Sequence, residues 1–486
     1  MDKFLTYEMF GAVGDGVADD IDAIAKCHAA ANATGTPVKA KDGAKYYIGC
    51  RAVPVTVKTD VDFGTAEFII DDTGEMENRD LHVFNVESDF PKITIDNMPL
   101  VKKGQKKIDF PYRGRYFVRV FNNDHKIFIR WGLNHNSGDP LQDCFIVDEE
   151  GNILHDIDWD YDHYTKVEIR RDDDKPITIR GGVFRTLANT LDGVYRYYRR
   201  GICIHRSHVT VEGLTHLVEG EAPDYGCPYA GFIFMTDTSG FTLKNCHLTP
   251  HKTYFRPADN NQKCAMGSYD INFGSVLDTR LENITQSVDI HDRAYWGLIH
   301  TNYSKNLVLE NCTMSRYDAH QGVTNLTVKN CTFGHQCVNL IGHGDVLFEN
   351  CTVTGGWFVS LRADYGSHFD GNLTIRNCHF NLKHPNPDVR ATEILGAYNP
   401  GTHDFGFKCS MPVSVTVDGL TVDDSAHPNA DVCLLSNYDN NFAEEKPFPY
   451  TPTKKLTYGN VRFTSGKEIK IYRHEGQYPD LEIKKI

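Results

Sequence analysis

Apolar residues take every second position in short runs that recur down the chain: FTLKNCHL (241–248), TRLENITQ (279–286), LVLENCTM (307–314), LTVKNCTF (326–333), VLFENCTV (346–353) and LTIRNCHF (373–380). Such alternation is the signature of a strand buried on one face. Each run reaches an asparagine and then resumes as a second, shorter alternation. VTVEGLTH (209–216) and VTVDGLTV (415–422) follow the same scheme with glycine in asparagine's place, and these two residue types tolerate left-handed backbone best. Asn245, Asn283, Asn311, Asn330, Asn350 and Asn377 are separated by 38, 28, 19, 20 and 27 residues. A minimum near twenty residues is the length of one solenoid coil, and the excess is loop.

These segments carry no helix-length 3.6 pattern. Each coil is therefore expected to be a rung of a parallel β-helix, with strands stacked ~4.8 Å apart. The asparagine would turn a tight corner and bond through its amide to the same residue one rung away. The cysteine after it would point inward as a small apolar side chain. Two other readings of Asn-Cys-Thr are set aside. The eight Asn-x-Ser/Thr sequons accept glycans only in a secretory compartment, which the N-terminus does not signal, and the fourteen cysteines show no CxxC pair or compact disulfide framework. Free thiols are expected.

The opening stretch FGAVGDGVADDIDAI (10–24) resembles the N-terminal motif of the pectate-lyase-like superfamily of right-handed parallel β-helices, which includes polygalacturonase-type glycosidases, polysaccharide lyases and phage tailspikes. With the Asn-bearing rungs, the resemblance covers more than half the chain. It implies an all-β, right-handed parallel β-helix and carbohydrate-active chemistry. Physically, Gly11, Gly14 and Gly16 permit a tight turn, and Asp19 or Asp20 can cap a helix over the residues that follow, with Asp22 favourable in its first turn. That helix would plug the end of the solenoid.

The expected organisation is a cap and first rungs over 1–90, an inserted antiparallel β subdomain over 91–175, the main β-helix and its groove over 176–430, and closing strands over 431–486. The insertion is read from YFVRVFNN (116–123), KIFIRWG (126–132) and CFIVDEEGNIL (144–154), where the asparagine ladder is missing. It could form a groove wall or an oligomer contact, so homo-oligomerisation stays open.

Charge narrows the partners. With 51 basic against 65 acidic residues, net −14, the chain lacks the clustered positive charge that nucleic acid or an anionic membrane requires. No export leader and no membrane-length apolar run is evident, which points to a cytoplasmic protein acting on an oligo- or polysaccharide. No cofactor motif appears, and the twenty-two histidines show no HExxH or comparable spacing, so no metal is expected.

Five rung segments carry polar residues where alternation would turn them outward: SYDINFGS (268–275), AYWGLIHT (294–301), YDAHQGVT (317–324), CVNLIGHGD (337–345) and FVSLRADYG (358–366). This reading exposes Asp270, Asn272, His300, His320, Asn339 and Arg362 in one stripe. Adjoining loops place Asp292, Arg293, Arg316 and Asp318 at its edge. If Gly297 and Gly322 stack, Asp292 and Asp318 lie on neighbouring rungs, ~5 to 9 Å apart, the span of glycosidase carboxylate pairs. One carboxyl beside another, partly desolvated, would serve as the acid. The bland alternative is that these aspartates pair with Arg293 and Arg316 to fix the loops.

The expected catalytic set is thus Asp292, Asp318 and His320. Asp270, Arg293, Trp296, His300, Arg316, Arg362, Asp364 and Tyr365 would bind substrate, and Trp296, Tyr295, Trp357 and Tyr365 offer rings for sugar faces. The chain departs from polygalacturonase-type motifs. Tyr317-Asp318-Ala319-His320 stands roughly where those enzymes have Gly-Asp-Asp, Gly342-His343-Gly344 follows its strand, and Ser360-Leu361-Arg362 is only faintly similar to Arg-Ile-Lys. Galacturonan hydrolysis does not carry over. A glycoside hydrolase is the leading expectation. The alternatives are a polysaccharide lyase with His320 or Tyr365 as base and Arg362 neutralising a uronate, a fructosyl-transferring enzyme, and a non-catalytic, tailspike-like glycan binder.

Overall fold

The computed structural model describes residues 4–129, 138–191, 196–222, 225–257, 263–335, 337–397, 409–436, 450–473, 476 and 478–486. The chain is a right-handed parallel β-helix. It comprises two compact units, Met1–Pro91 with Arg171–His300, and Lys92–Arg170 with Thr301–Ile486. No helix among the described residues is long and apolar enough to cross a membrane.

The first unit begins with the glycine-rich turn. Gly11, Gly14 and Gly16 all have positive φ. Asp20 does not cap the helix. Its carboxylate accepts from Val13 N at 2.7 Å and Gly14 N at 3.1 Å, holding the turn, while Asp19 Oδ1 takes Ile21 N at 3.1 Å. The Ile21–Thr34 helix buries Ile21, Ile24, Cys27, His28 and Ala31, and His28 bonds the Tyr7 hydroxyl at 3.0 Å. Beyond it the coils stack in register. Val61, Ile179, Val211, Leu243 and Leu281 form one buried column through successive strands. Tyr46, Phe68, Phe184 and His216 form a second, in which Phe68 stacks on Phe184 at 4.8 Å.

The corner residues behave as their chemistry requires. Asn245 and Asn283 have φ of 55° and 56°, with Gly213 at 67° one rung earlier, and Asn283 Nδ2 donates to Asn245 Oδ1 at 2.8 Å. In the second unit Asn311, Asn330, Asn350 and Asn377 have φ between 50° and 55°. There Asn330 donates to Asn311, and Asn350 to Asn330, both at 3.2 Å. Gly419 takes the place next to Asn377. Left-handed backbone costs most residues ~1–2 kcal/mol. Asparagine tolerates it and also recovers an amide bond to its neighbour. Cys246, Cys312, Cys331, Cys351 and Cys378 follow as buried free thiols.

Within the second unit lies a four-stranded sheet of Ile93–Ile95, Lys166–Arg171, Tyr116–Ile127 and Asp139–Val147, with the first pair and the last pair antiparallel. Lys126 and Ile127 extend the Tyr116 strand past a bulge instead of starting a new one; residues 130–132 of that expected strand lie outside the described residues. Lys305, buried, pairs with Asp158 at 3.1 Å and with Asp143. Thr324 and Asn325 bond Asp158 and Asp156 at 2.9 and 3.0 Å. These contacts seat the insertion on the coils that begin at Thr301.

Candidate functional site

In the second unit, register brings Asp318, Asn339, Ser360 and Gly396 into one column across four strands, beside the inward column Tyr317, Val338, Val359 and Leu395. Asp318 belongs to the Tyr317–Lys329 strand and has no solvent exposure. Arg362 Nη1 donates to both its oxygens at 2.7 and 2.8 Å, and Arg316 Nη2 lies 3.1 Å away. Arg362 also grips Asp364 through Nε at 3.1 Å and Nη2 at 2.8 Å. Burial alone would depress the Arg362 pKa, but the carboxylates of Asp318 and Asp364 outweigh it and raise the value. With its amide oxygen turned to Arg316, Asn339 accepts from Nε at 2.9 Å.

Several expected positions are corrected by this burial. Asp318 and Arg316 are not groove-edge groups and Arg362 is not an outward one; two arginines neutralise a carboxylate that the fold withdraws from water. Tyr365, 2% exposed, cannot offer its ring to a sugar, because Arg362 lies over it at 5.2 Å and Phe128 packs at 5.9 Å. His320 is half-buried, with Nδ1 3.2 Å from Asn302 and Nε2 3.3 Å from the Tyr365 hydroxyl. Asp364 keeps 23% of its side chain exposed. The structure thus gathers Arg316, Asp318, His320, Arg362, Asp364 and Tyr365, but mostly as a packed ionic network.

The remaining expected residues belong to the first unit. Asp270 is fully buried, not outward: Oδ1 meets His216 Nδ1 at 2.7 Å and Oδ2 accepts from Thr249 N at 3.0 Å, so it serves the interior of the coil. Asp292 is exposed and turns back to accept from Ala294 N at 2.9 Å, with Arg293 exposed beside it. Trp296 and His300 meet on Tyr269, the indole donating to its hydroxyl at 2.8 Å and the imidazole lying 4.3 Å from its ring. Asp292 and Asp318 belong to different compact units.

Trp357, one of the rings expected to face a sugar, stands in the second unit among partners that period-2 reasoning missed. Trp357, Ser360, His384, Glu393, Gly396 and Arg473 line a cavity of about 360 Å³, together with Leu361 and Ala363, the chain neighbours of Arg362 and Asp364. Glu393 is 7% exposed. The Trp357 indole donates to its Oε2 at 3.3 Å, and Arg473 pairs with Oε1. Desolvation raises the Glu393 pKa, although Arg473 and the indole pull it down. Gly396 is needed beneath the tryptophan, since a Cβ there would lie 2.4 Å from the ring. Among the described residues, no group of three or more His, Cys, Asp or Glu side chains is placed to hold a metal.

No protein-family model and no curated protein sequence matches this chain. Solved structures do share its architecture. The tailspike gp61 of Pseudomonas phage phi297 aligns over 95% of this chain and 80% of its own, with TM-score 0.52 and 15% identity. Two looser likenesses are the tailspike of Escherichia coli bacteriophage HK620 bearing a pentasaccharide (TM-score 0.48, 9% identity, 99% of this chain and 80% of that one) and an exopolygalacturonase from Thermotoga maritima (TM-score 0.39, 10% identity, 95% and 92%). At these identities the likeness is one of fold.

Proposed function

We propose that this protein is a carbohydrate-active enzyme, a glycoside hydrolase that works in the Trp357–Glu393 cavity. The observation that carries the reading is Glu393 itself, a nearly buried carboxyl with a raised pKa, hydrogen-bonded to an indole in a concave site. A desolvated carboxyl keeps its proton to higher pH and is suited to protonate a glycosidic oxygen. The indole ring presents the flat apolar surface that sugar C–H faces prefer. Asp364, gripped by the Arg362 fork, partly exposed and next in the chain to the cavity-lining Ala363, takes the role of the second carboxylate, as base or nucleophile. Asp318 and Arg362 position it instead of reacting. Asp292, in a solvent-exposed turn, takes no part in this cavity.

A panel of neutral and acidic oligosaccharides, assayed for new reducing ends, tests the reading. Glu393→Gln and Asp364→Asn should each lower kcat by about 10²- to 10⁴-fold while leaving binding intact. Undiminished turnover in both variants would remove the assignment. An unsaturated product would select elimination over hydrolysis, and binding by wild type with no turnover would select the glycan-binder alternative.

A further inference from the structure

The inserted sheet carries a second cleft that the proposed hydrolysis does not use. It holds about 920 Å³ and is lined by apolar and aromatic side chains, by the carboxylates of Asp124, Asp160 and Asp162, and by the basic side chains of Lys102, His125 and His163. Among the described residues, none lines both this cleft and the Glu393 cavity. The volume falls within the range of about 300–1,000 Å³ typical of ligand sites. Its floor is apolar and aromatic. Trp159 is fixed from behind, edge-on to His343 at 4.8 Å and near-parallel to His368 at 6.2 Å. Leu100 lines the cleft and remains 43% exposed, an apolar surface open to a ligand. Tyr161, 3% exposed, completes the lining.

The rim is organised. His163 bridges two carboxylates, with Nε2 3.0 Å from Asp124 and Nδ1 2.8 Å from Asp162. Asn122 donates to Asp162 at 3.3 Å and accepts from Asp124 N at 3.0 Å. Asp160 Oδ1 accepts from Lys103 N at 2.9 Å. The free oxygens of such carboxylates are acceptors only. They suit hydroxyl donors, and with Lys102, His125 and His163 on the same lining the cleft presents both signs of charge, which matches a neutral, hydroxyl-rich ligand better than a net ion.

We infer that this cleft is an ancillary binding site for an uncharged oligosaccharide, with sugar faces on Trp159 and Leu100 and sugar hydroxyls on Asp124, Asp160 and Asp162. A site of this kind would hold a saccharide chain on the protein without cleaving it. It stands or falls independently of the Glu393 reading.

The test titrates the full chain with maltohexaose, cellohexaose and chitohexaose, read by saturation-transfer NMR. The wild type is expected to bind at least one of them. Read in a Trp357→Ala background that removes sugar stacking from the Glu393 cavity, Leu100→Arg, which fills the cleft from an exposed position, should abolish the remaining binding, and the double variant Asp124→Asn, Asp162→Asn should weaken it by about tenfold. With Trp357 in place, both variants should keep wild-type turnover, whereas Glu393→Gln should keep cleft binding. Binding by none of the three sugars overturns the inference. So does wild-type binding in both variants, or a cleft that binds spermine and no sugar.

Discussion

Asp318 has both oxygens engaged by Arg362 and one approached by Arg316, with none of its surface in water. Removing one partner from a buried ionic group costs ~3–5 kcal/mol, because the other charges are left uncompensated. Asp318→Asn is therefore expected to lower the urea midpoint markedly; a variant as stable as wild type would show that the network is dispensable. His82 makes the opposite case. Both of its ring nitrogens are buried without hydrogen-bond partners among the described residues, and burial, aided by Arg199, pushes its pKa down to about 3. A histidine lowered on folding binds fewer protons in the native state than in the unfolded one. Its stabilising neutrality is fully present above pH ~6.5 and is lost as pH falls toward 3, by ~1.4 kcal/mol per pH unit. His82→Leu should flatten that loss between pH 7 and pH 5 in urea unfolding. Equal losses in variant and wild type would contradict it. Neither environment is legible in the sequence. Alternation says which side of a strand a residue takes, whereas the cover over Asp318 comes from Arg362, 44 residues away.

The coils are held by repeated small terms, and the asparagine corner is the clearest of them. Asn330 adopts φ 53° and bonds to the corner asparagines on both sides. Asn330→Ala should cost ~2–3 kcal/mol, from strained left-handed backbone and two lost amide bonds, while Asn330→Gly should cost less because it retains the conformational freedom. Gly213 and Gly419 already occupy such corners at φ 67° and 76°. Calorimetry would check the order, and alanine ranking above glycine would refute the backbone part of the argument. This element was readable because its requirement is local: one backbone conformation that few residue types accept, repeated at coil spacing. The N-terminal helix was readable for the same reason, although alternation left open which of its two flanking aspartates serves it. Asp20 turned to the two unpaired amides of the glycine turn, leaving Asp19 for the helix.

At the scale of the whole chain, the fold follows from periodicity and the site does not. Glu393 sits in ATEILG, a run without alternation in which five of six residues are buried. Nothing in the text announces that Trp357, His384 and Arg473 converge on it. The expected dyad is misplaced for a related reason: a spacing argument set Asp292 and Asp318 by their distance from glycines, but Asp318 stands buried on a strand between two arginines, and Asp292 lies in an exposed turn. What survives is a polar column on parallel strands, continued into a cavity with a desolvated acid. The most direct measurement is a crystal structure of Glu393→Gln soaked with an oligosaccharide that the wild type cleaves. The account predicts a sugar ring against the Trp357 indole, with the glycosidic oxygen ~2.6–3.2 Å from the residue 393 side chain. A cleavable sugar bound elsewhere on the chain, with this cavity empty, would contradict it.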